Sequence, residues 1–169
     1  VRAMLGPDSW DDKSVVILNR LLKWTEQGIE YEADPKHRIK ILEYFGFDEN
    51  SRPGATNGDK EEHEVEGEDE LLQKKEATEY RGLAARLNFL SLDCPDLQFA
   101  IKQSSRDMSN PTVGSWKHLK KVARYLVGMK SIVWKFAYQD EVSNCDLYTD
   151  SNWGGNFKYR KSTSGRFGC

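Results

Sequence analysis

A run of like charges divides the chain and limits what can fold on either side of it. Residues 59–70, DKEEHEVEGEDE, hold eight carboxylates, and Val65 is the one aliphatic side chain among them. Repulsion between the carboxylates opposes compaction, and a single valine offers little surface to bury. The preceding SRPGATNG is rich in residues that interrupt helices and strands. The sequence therefore predicts a flexible acidic linker over residues 51–71.

Composition narrows the class of protein. The chain has 169 residues, of which 38% are hydrophobic and 31% charged, which suits one modest domain or two small ones. No apolar run approaches the roughly 20 residues of a spanning helix, and the first residues show no signal peptide. Cys94, Cys145 and Cys169 are too scattered to predict a disulfide framework or a zinc knuckle. We expect an intracellular protein, cytoplasmic or nuclear, with no membrane partner.

The near-neutral total charge of -2 conceals an uneven distribution. Counted along the sequence, the net charge is -2 for residues 1–58, -7 for residues 59–100 and +7 for residues 101–169. A basic segment of this kind is typical of a surface that binds a polyanion.

Hydrophobic patterning predicts elements on both sides of the linker. The apolar run Val15–Trp24 and the alternating IEYEA that starts at Gly28 suggest a hairpin. Asp34-Pro35 is a helix-start signal, after which Ile39, Leu42 and Phe45 follow at helical spacing until Gly46.

Three helices are predicted after the linker. The first carries Tyr80, Leu83, Leu87 and Leu90, and the second carries Leu97, Ile101 and Met108 and ends at Asn110-Pro111. The third, over residues 115–127, has an apolar face opposite a basic one. IVWKFAY and NCDLYTD then read as two strands.

The C-terminal motifs carry a family resemblance. DLYTDSNWGGNFKYRKSTSG, residues 146–165, preceded by CPDLQFA, SRDMSNPT and WKHLKKVARYL, resembles the Pol polyprotein of Ty1/copia-type retrotransposons. In that family the segment lies where the reverse transcriptase runs into the ribonuclease H domain. WTEQGIEYEADPKH resembles the end of the polymerase palm.

The resemblance implies a catalytic and metal-binding role for Asp150. Ribonuclease H chemistry uses clustered carboxylates to hold two divalent cations, and Asp150 matches the first of them. Asn152 stands where many relatives carry a second Asp. The cofactor implied is Mg²⁺, in the complete parent enzyme. The alternative for Asp150 is a strand-end aspartate that bonds the backbone of the turn near Gly154-Gly155.

The basic residues form two candidate nucleic-acid-binding clusters. Clustered cations contact phosphates without regard to sequence, whereas solvated charged faces are the alternative. The predicted residues are Lys117, Lys120, Lys121 and Arg124 in the third helix, and Lys158, Arg160, Lys161, Ser162 and Thr163 near the end of the chain.

The polymerase metal site of the family is not evident in the sequence. Its aromatic-x-Asp-Asp turn is absent, and Trp10-Asp11-Asp12 follows turn-forming residues, which indicates a loop. The three histidines lack zinc-ligand spacing and receive no role.

We expect an α+β fold with a truncated ribonuclease H-like mixed sheet. The predicted divisions are residues 1–50, the end of the palm and start of the thumb; 51–71, the linker; 72–130, a helical connection; and 131–169, the first ribonuclease H strands. The lack of an initiator Met and the strand-like final residues suggest a fragment, whose partners would be an RNA–DNA hybrid and other segments of the polyprotein. Three functional hypotheses stay open: a piece of an active reverse transcriptase and ribonuclease H, inactive alone; a non-catalytic nucleic-acid-binding module; and a decayed relic.

Overall fold

The computed structural model describes residues 4–55, 69–129, 131–139, 144–156 and 161–168. It confirms the predicted α+β class, with helices and antiparallel strand pairs in one chain. The chain divides into two compact units, residues 1–136 and 137–169. The predicted domain divisions stay predictions. Within the described residues, no helix combines the length and apolarity needed to cross a membrane.

The first unit contains a sheet with the strand order β1-β2-β3-β4. Its strands are β1 (Ser14–Ile17), β2 (Arg20–Thr25), β3 (Gly28–Glu32) and β4 (Val133–Ala137). β2 pairs antiparallel with both β1 and β3. The predicted hairpin is therefore the pair β2–β3, and β4 joins the sheet beside β3 from about a hundred residues further along the chain.

One part of the hairpin prediction is wrong. Val15–Trp24 is not a single strand, because Leu18 and Asn19 adopt positive φ angles of 51° and 62° and turn the chain between β1 and β2. A two-residue loop with both residues in the left-handed region matches the twist of adjacent strands. Asn tolerates this conformation, and its side-chain amide also contacts Asp34 Oδ2 at 3.4 Å.

Helix α1 (Lys36–Phe45) follows the predicted start and stop signals. Asp34 Oδ1 accepts a hydrogen bond from the Lys36 N–H at 2.8 Å, which satisfies one of the unpaired donors of the first turn. Gly46 ends the helix with φ of 66°. Within the helix, Ile39 is exposed, whereas Ile41 is fully buried.

The other helices are α2 (Lys74–Leu90), α3 (Gln98–Arg106) and α4 (Val113–Gly128), with a short 3₁₀ turn at Pro95–Leu97. Together with α1 they enclose one apolar core. Its fully buried members include Tyr80, Leu87, Leu97, Ile101, Leu119 and Leu126. Burial also raises the pKa of the Cys94 thiol to about 12, so this cysteine is protonated and unreactive at neutral pH. Met108, predicted within the second helix, lies beyond its end but still packs against the core.

Asp93 joins the sheet to the helices. Its carboxylate accepts hydrogen bonds from the Tyr31 hydroxyl at 2.6 Å and from Arg20 Nη2 at 3.2 Å. Its carbonyl accepts one from Trp134 Nε1 at 2.9 Å. Strands β2, β3 and β4 therefore converge on one buried residue that follows α2. Burial and the hydrogen bond to Asp93 raise the pKa of Tyr31 to about 12.

The two ends of the predicted linker contact the helical region. Gly54 N donates to Arg124 O at 3.0 Å. Leu71 forms an isolated bridge with Thr112, and Val113 N donates to Glu70 O at 2.9 Å. The acidic run itself falls almost entirely outside the described residues, so its predicted flexibility stays a prediction.

The second unit contains an antiparallel hairpin of β5 (Leu147–Asn156) and β6 (Lys161–Gly168). The register shifts between Asn152 and Asn156. The finer prediction of a ribonuclease H-like mixed sheet stays a prediction.

Candidate nucleic-acid interface

Helix α4 carries the first predicted cluster, and its start is fixed by a capping box. Thr112 Oγ1 accepts the Ser115 N–H at 3.2 Å, and Ser115 Oγ in return accepts the Thr112 N–H at 3.2 Å. Ser115 Oγ also donates to Asp107 Oδ2 at 2.8 Å, which ties α4 to the end of α3. The helix thus begins at Val113, two residues earlier than predicted.

The far end of α4 is fixed by a side chain from another helix. Arg38 Nε donates to Leu126 O at 2.9 Å, and Arg38 Nη2 donates to Val127 O at 3.3 Å. These carbonyls belong to the last turn, where intrahelical partners are lacking. Burial lowers the pKa of Arg38 from its usual value, but the guanidinium stays charged at any physiological pH.

Between these ends, α4 separates an apolar face from a basic one. Leu119, Val122, Ala123 and Leu126 are fully buried. Lys117, Lys120 and Arg124 are exposed on the opposite side, and Lys121 is half-buried. The structure therefore brings all four predicted residues of this cluster onto one helix. Because the buried face fixes the rotation of the helix, it also fixes the direction of the basic face.

Arg124 is held by more than its place on the helix. Its guanidinium carbon lies 5.6 Å from the centre of the Phe47 ring. Such a contact orients a guanidinium while leaving its N–H groups available to an anion. The chain after α1 therefore supports the C-terminal end of the basic face.

Asp150 lies on β5 in the second unit, and its side chain is exposed. It is paired with Gly165 of β6, and Ser151 is paired with Ser164. β5 continues past Asp150 to Asn156, so Asp150 lies within the strand and not at its end. Its catalytic role and the alternative of bonding a turn backbone both stay predictions.

The second predicted cluster is only partly described. Lys161, Ser162 and Thr163 lie on β6, with Lys161 paired to Asn156 and Thr163 paired to Asn152. Lys158 and Arg160 lie outside the described residues. Asp150 and the residues 161–163 are thus on paired strands of one hairpin.

The described residues do not by themselves fit the magnesium ions that the resemblance implies. In the ranges that the structure describes, no three His, Cys, Asp or Glu side chains come together as a metal site. A two-metal centre needs several converging carboxylates, and Asp150 supplies one. No chemical step through a metal ion follows from this arrangement.

A second exposed face, on helix α3, was not predicted from the sequence. Phe99, Lys102 and Arg106 of α3 are all exposed. Their spacing of three and seven residues was readable in the sequence. The Pro-Asp-Leu start and the apolar Leu97 and Ile101 instead predict the inner face of this helix.

Part of the chain is similar in sequence to known proteins. Over 88 residues, 52% of the chain, it is 35% identical to the retrovirus-related Pol polyprotein from transposon RE2 of Arabidopsis thaliana and 32% identical to that from transposon RE1. The match spans 6% of each polyprotein. An uncharacterized mitochondrial protein of the same plant is 28% identical over 88 residues, 36% of its length.

No family model matches the chain, and no solved structure matches it. The matches to the two transposon polyproteins confirm the predicted resemblance to retrotransposon Pol polyproteins over about half of the chain.

Proposed function

We propose that the chain is the segment of a retrotransposon Pol polyprotein in which the reverse transcriptase runs into the ribonuclease H domain, and that helix α4 holds the RNA–DNA hybrid by its phosphates. Two observations support the assignment to this segment. The relatives are named as transposon Pol polyproteins, and the motifs from CPDLQFA to RKSTSG stand in the order expected of that junction.

The single observation that carries the binding proposal is the basic face of α4. Lys117, Lys120 and Arg124 recur at spacings of three and four residues, so they form one stripe along about two turns of the helix. A rigid row of cations matches the regular spacing of phosphates along a duplex. Each cation adds affinity that depends on salt and not on base sequence.

In this proposal the chain holds the hybrid and does not hydrolyse it unaided. Asp150 would contribute one carboxylate to ribonuclease H chemistry, whose remaining ligands would come from other parts of the polyprotein. A second candidate is a binding module with no catalytic role. The observation that favours it is the lack of a converging metal-ligand group among the described residues.

Fluorescence anisotropy with a labelled RNA–DNA hybrid tests the binding proposal. The variant Lys117→Gln/Lys120→Gln/Arg124→Gln should bind at least about tenfold more weakly than the parent chain at low salt. The slope of log K against log salt should become shallower by roughly 0.9 for each phosphate that is no longer neutralised. The matched control is Lys36→Gln/Lys74→Gln/Lys75→Gln, which removes the same charge from exposed positions on α1 and α2.

Equal weakening in both triple variants would show a general effect of charge and would contradict a specific role for α4. Complementation of the polyprotein separates the two candidates, whereas chelation of divalent cations does not. Hybrid binding should persist in chelator for both, whereas complementation of a polyprotein that lacks this segment should restore hybrid hydrolysis only if the segment is part of the enzyme. Loss of that rescue with Asp150→Asn would assign Asp150 its catalytic role.

A further inference from the structure

An aromatic ring stands among cations on the outer face of α3. Phe99 is 50% exposed, and Lys102 and Arg106 follow it by three and seven residues on the same face. The opposite face of the helix is buried through Ala100, Ile101 and Ser104. The inner contacts therefore fix Phe99, Lys102 and Arg106 as an outward stripe, which we call the α3 stripe.

Helix α3, which carries the stripe, packs against α4. The two helices run side by side in opposite directions, since Asp96 contacts Tyr125 at 2.9 Å while Asp107 contacts Ser115 at 2.8 Å. Between these ends, His118 Nε2 lies 3.2 Å from Ala100 O. The neighbouring helices therefore present cations from both outer faces, with a ring on one of them.

We propose that the α3 stripe binds single-stranded nucleic acid, with a base stacked on Phe99 and the adjoining phosphates on Lys102 and Arg106. This inference rests on the proposed function and extends it from the phosphates of a duplex to an unpaired base. A phenyl ring offers a flat face to any base, and cations about one and two helical turns away suit the phosphates that adjoin it. Arg106 is oriented by Gln103, whose Oε1 accepts its Nη1 hydrogen bond at 2.8 Å.

Charge indicates which kind of ligand binds the α3 stripe. Residues 101–169 carry a net charge of +7, and an apolar protein partner on this stripe would have to desolvate Lys102 and Arg106 without compensation. A paired duplex would offer Phe99 no base face, because its bases are stacked on one another. A single strand offers an unstacked base to the Phe99 ring and phosphates to Lys102 and Arg106.

Binding of two oligonucleotides with equal numbers of phosphates tests the inference. One is a dodecamer of thymidylate, and the other is an abasic dodecamer. Phe99→Leu keeps an apolar side chain but removes the ring, so it should weaken binding of the thymidylate strand roughly 5- to 100-fold and leave binding of the abasic strand unchanged. Phe99→Trp should bind the thymidylate strand at least as tightly as the parent chain does. The fluorescence of the new indole should be quenched on binding.

The matched control is Phe136→Leu, which makes the same change at a phenylalanine that is 57% exposed on β4. It should bind both strands as the parent chain does. Unchanged binding of the thymidylate strand by Phe99→Leu would overturn the inference, and so would an equal loss for both strands.

The failure of this inference is distinguishable from failure of the proposed function. If the triple variant of α4 loses the hybrid while Phe99→Leu keeps the thymidylate strand, phosphate binding stands and stacking on α3 is wrong. If Phe99→Leu loses only the thymidylate strand while the triple variant keeps the hybrid, stacking stands and the role of α4 is wrong.

Discussion

The helices and the four-stranded sheet of the first unit are stabilised by different interactions. The helices share an apolar core with many fully buried side chains. Of the residues in β1 to β4, all of which the structure describes, Gly28 alone is buried. Val16 and Ile17 of β1 are 65% and 53% exposed. The helices are therefore held by the hydrophobic effect, whereas the sheet adds little to the buried core.

At the sheet, polar contacts replace the stabilisation that an apolar core would give. Arg20, Tyr31 and Trp134, from three different strands, all donate hydrogen bonds to Asp93. The difference shows how one unit joins two layers without a continuous core between them. It also means that damage to the core should act on the whole unit, whereas damage to Asp93 should act first on the sheet.

Truncation of the helical core gives the largest expected effect. Leu119→Ala removes a fully buried side chain of α4 and should lower the free energy of unfolding by about 4 kcal/mol, since a cavity adds to the lost burial. Ile17→Ala, at a half-exposed position of β1, should cost less than about 1 kcal/mol. Urea denaturation followed by circular dichroism measures both, and equal losses would contradict the comparison.

The same contrast explains what the sequence could reveal. Helices α2 and α4 were predictable because apolar residues such as Tyr80, Leu87 and Leu126 recur at helical spacing, and burial then followed that spacing. The turn at Leu18-Asn19 contains neither Gly nor Pro, and Asn19 alone is a weak turn signal within an apolar run. The pairing of β4 with β3 is a contact between distant segments, and strand patterning does not specify a partner.

The candidate site shows the same limits. The basic face of α4 was predictable because an amphipathic helix fixes both its faces at once. Phe99 was overlooked since its neighbours Leu97 and Ile101 suggest a core helix, and only packing shows that this ring faces outward. The resemblance predicts a catalytic role for Asp150, but no local pattern gives the positions of other metal ligands.

Disruption of the polar junction should have a smaller effect than core truncation. Asp93→Asn keeps an acceptor for Tyr31 but leaves Arg20 without its counter-charge, and the Arg20 side chain is 18% exposed. We expect the free energy of unfolding to fall by about 2 to 3 kcal/mol, which is below the range for a fully buried pair. The control is Glu30→Gln, which removes the exposed pair with Lys135 and should cost less than about 1 kcal/mol. Equal losses of stability in Asp93→Asn and Glu30→Gln would contradict the role of Asp93 in joining the sheet to the helices.

His37 of α1 should give the smallest effect, and this effect depends on pH. Burial lowers the pKa of His37, with the nearby cations Arg86, Lys36 and Arg20 acting in the same direction and Asp34 opposing them. Among the described residues, His37 Nδ1 has no hydrogen-bond partner, and the ring packs 4.4 Å from that of Phe89. The folded state therefore favours the neutral imidazole.

The direction of the pH dependence follows from that preference. The unfolded chain takes up the proton near the ordinary histidine pKa of about 6.5, while the folded chain resists it. The stabilisation is therefore complete above that pH and declines as the pH falls toward the lower pKa of the folded state. His37→Phe keeps a ring against Phe89 and cannot titrate, so its free energy of unfolding should vary less between neutral and mildly acidic pH. Identical pH profiles for the two proteins would show that the proton affinity of His37 is the same in the folded and unfolded chains.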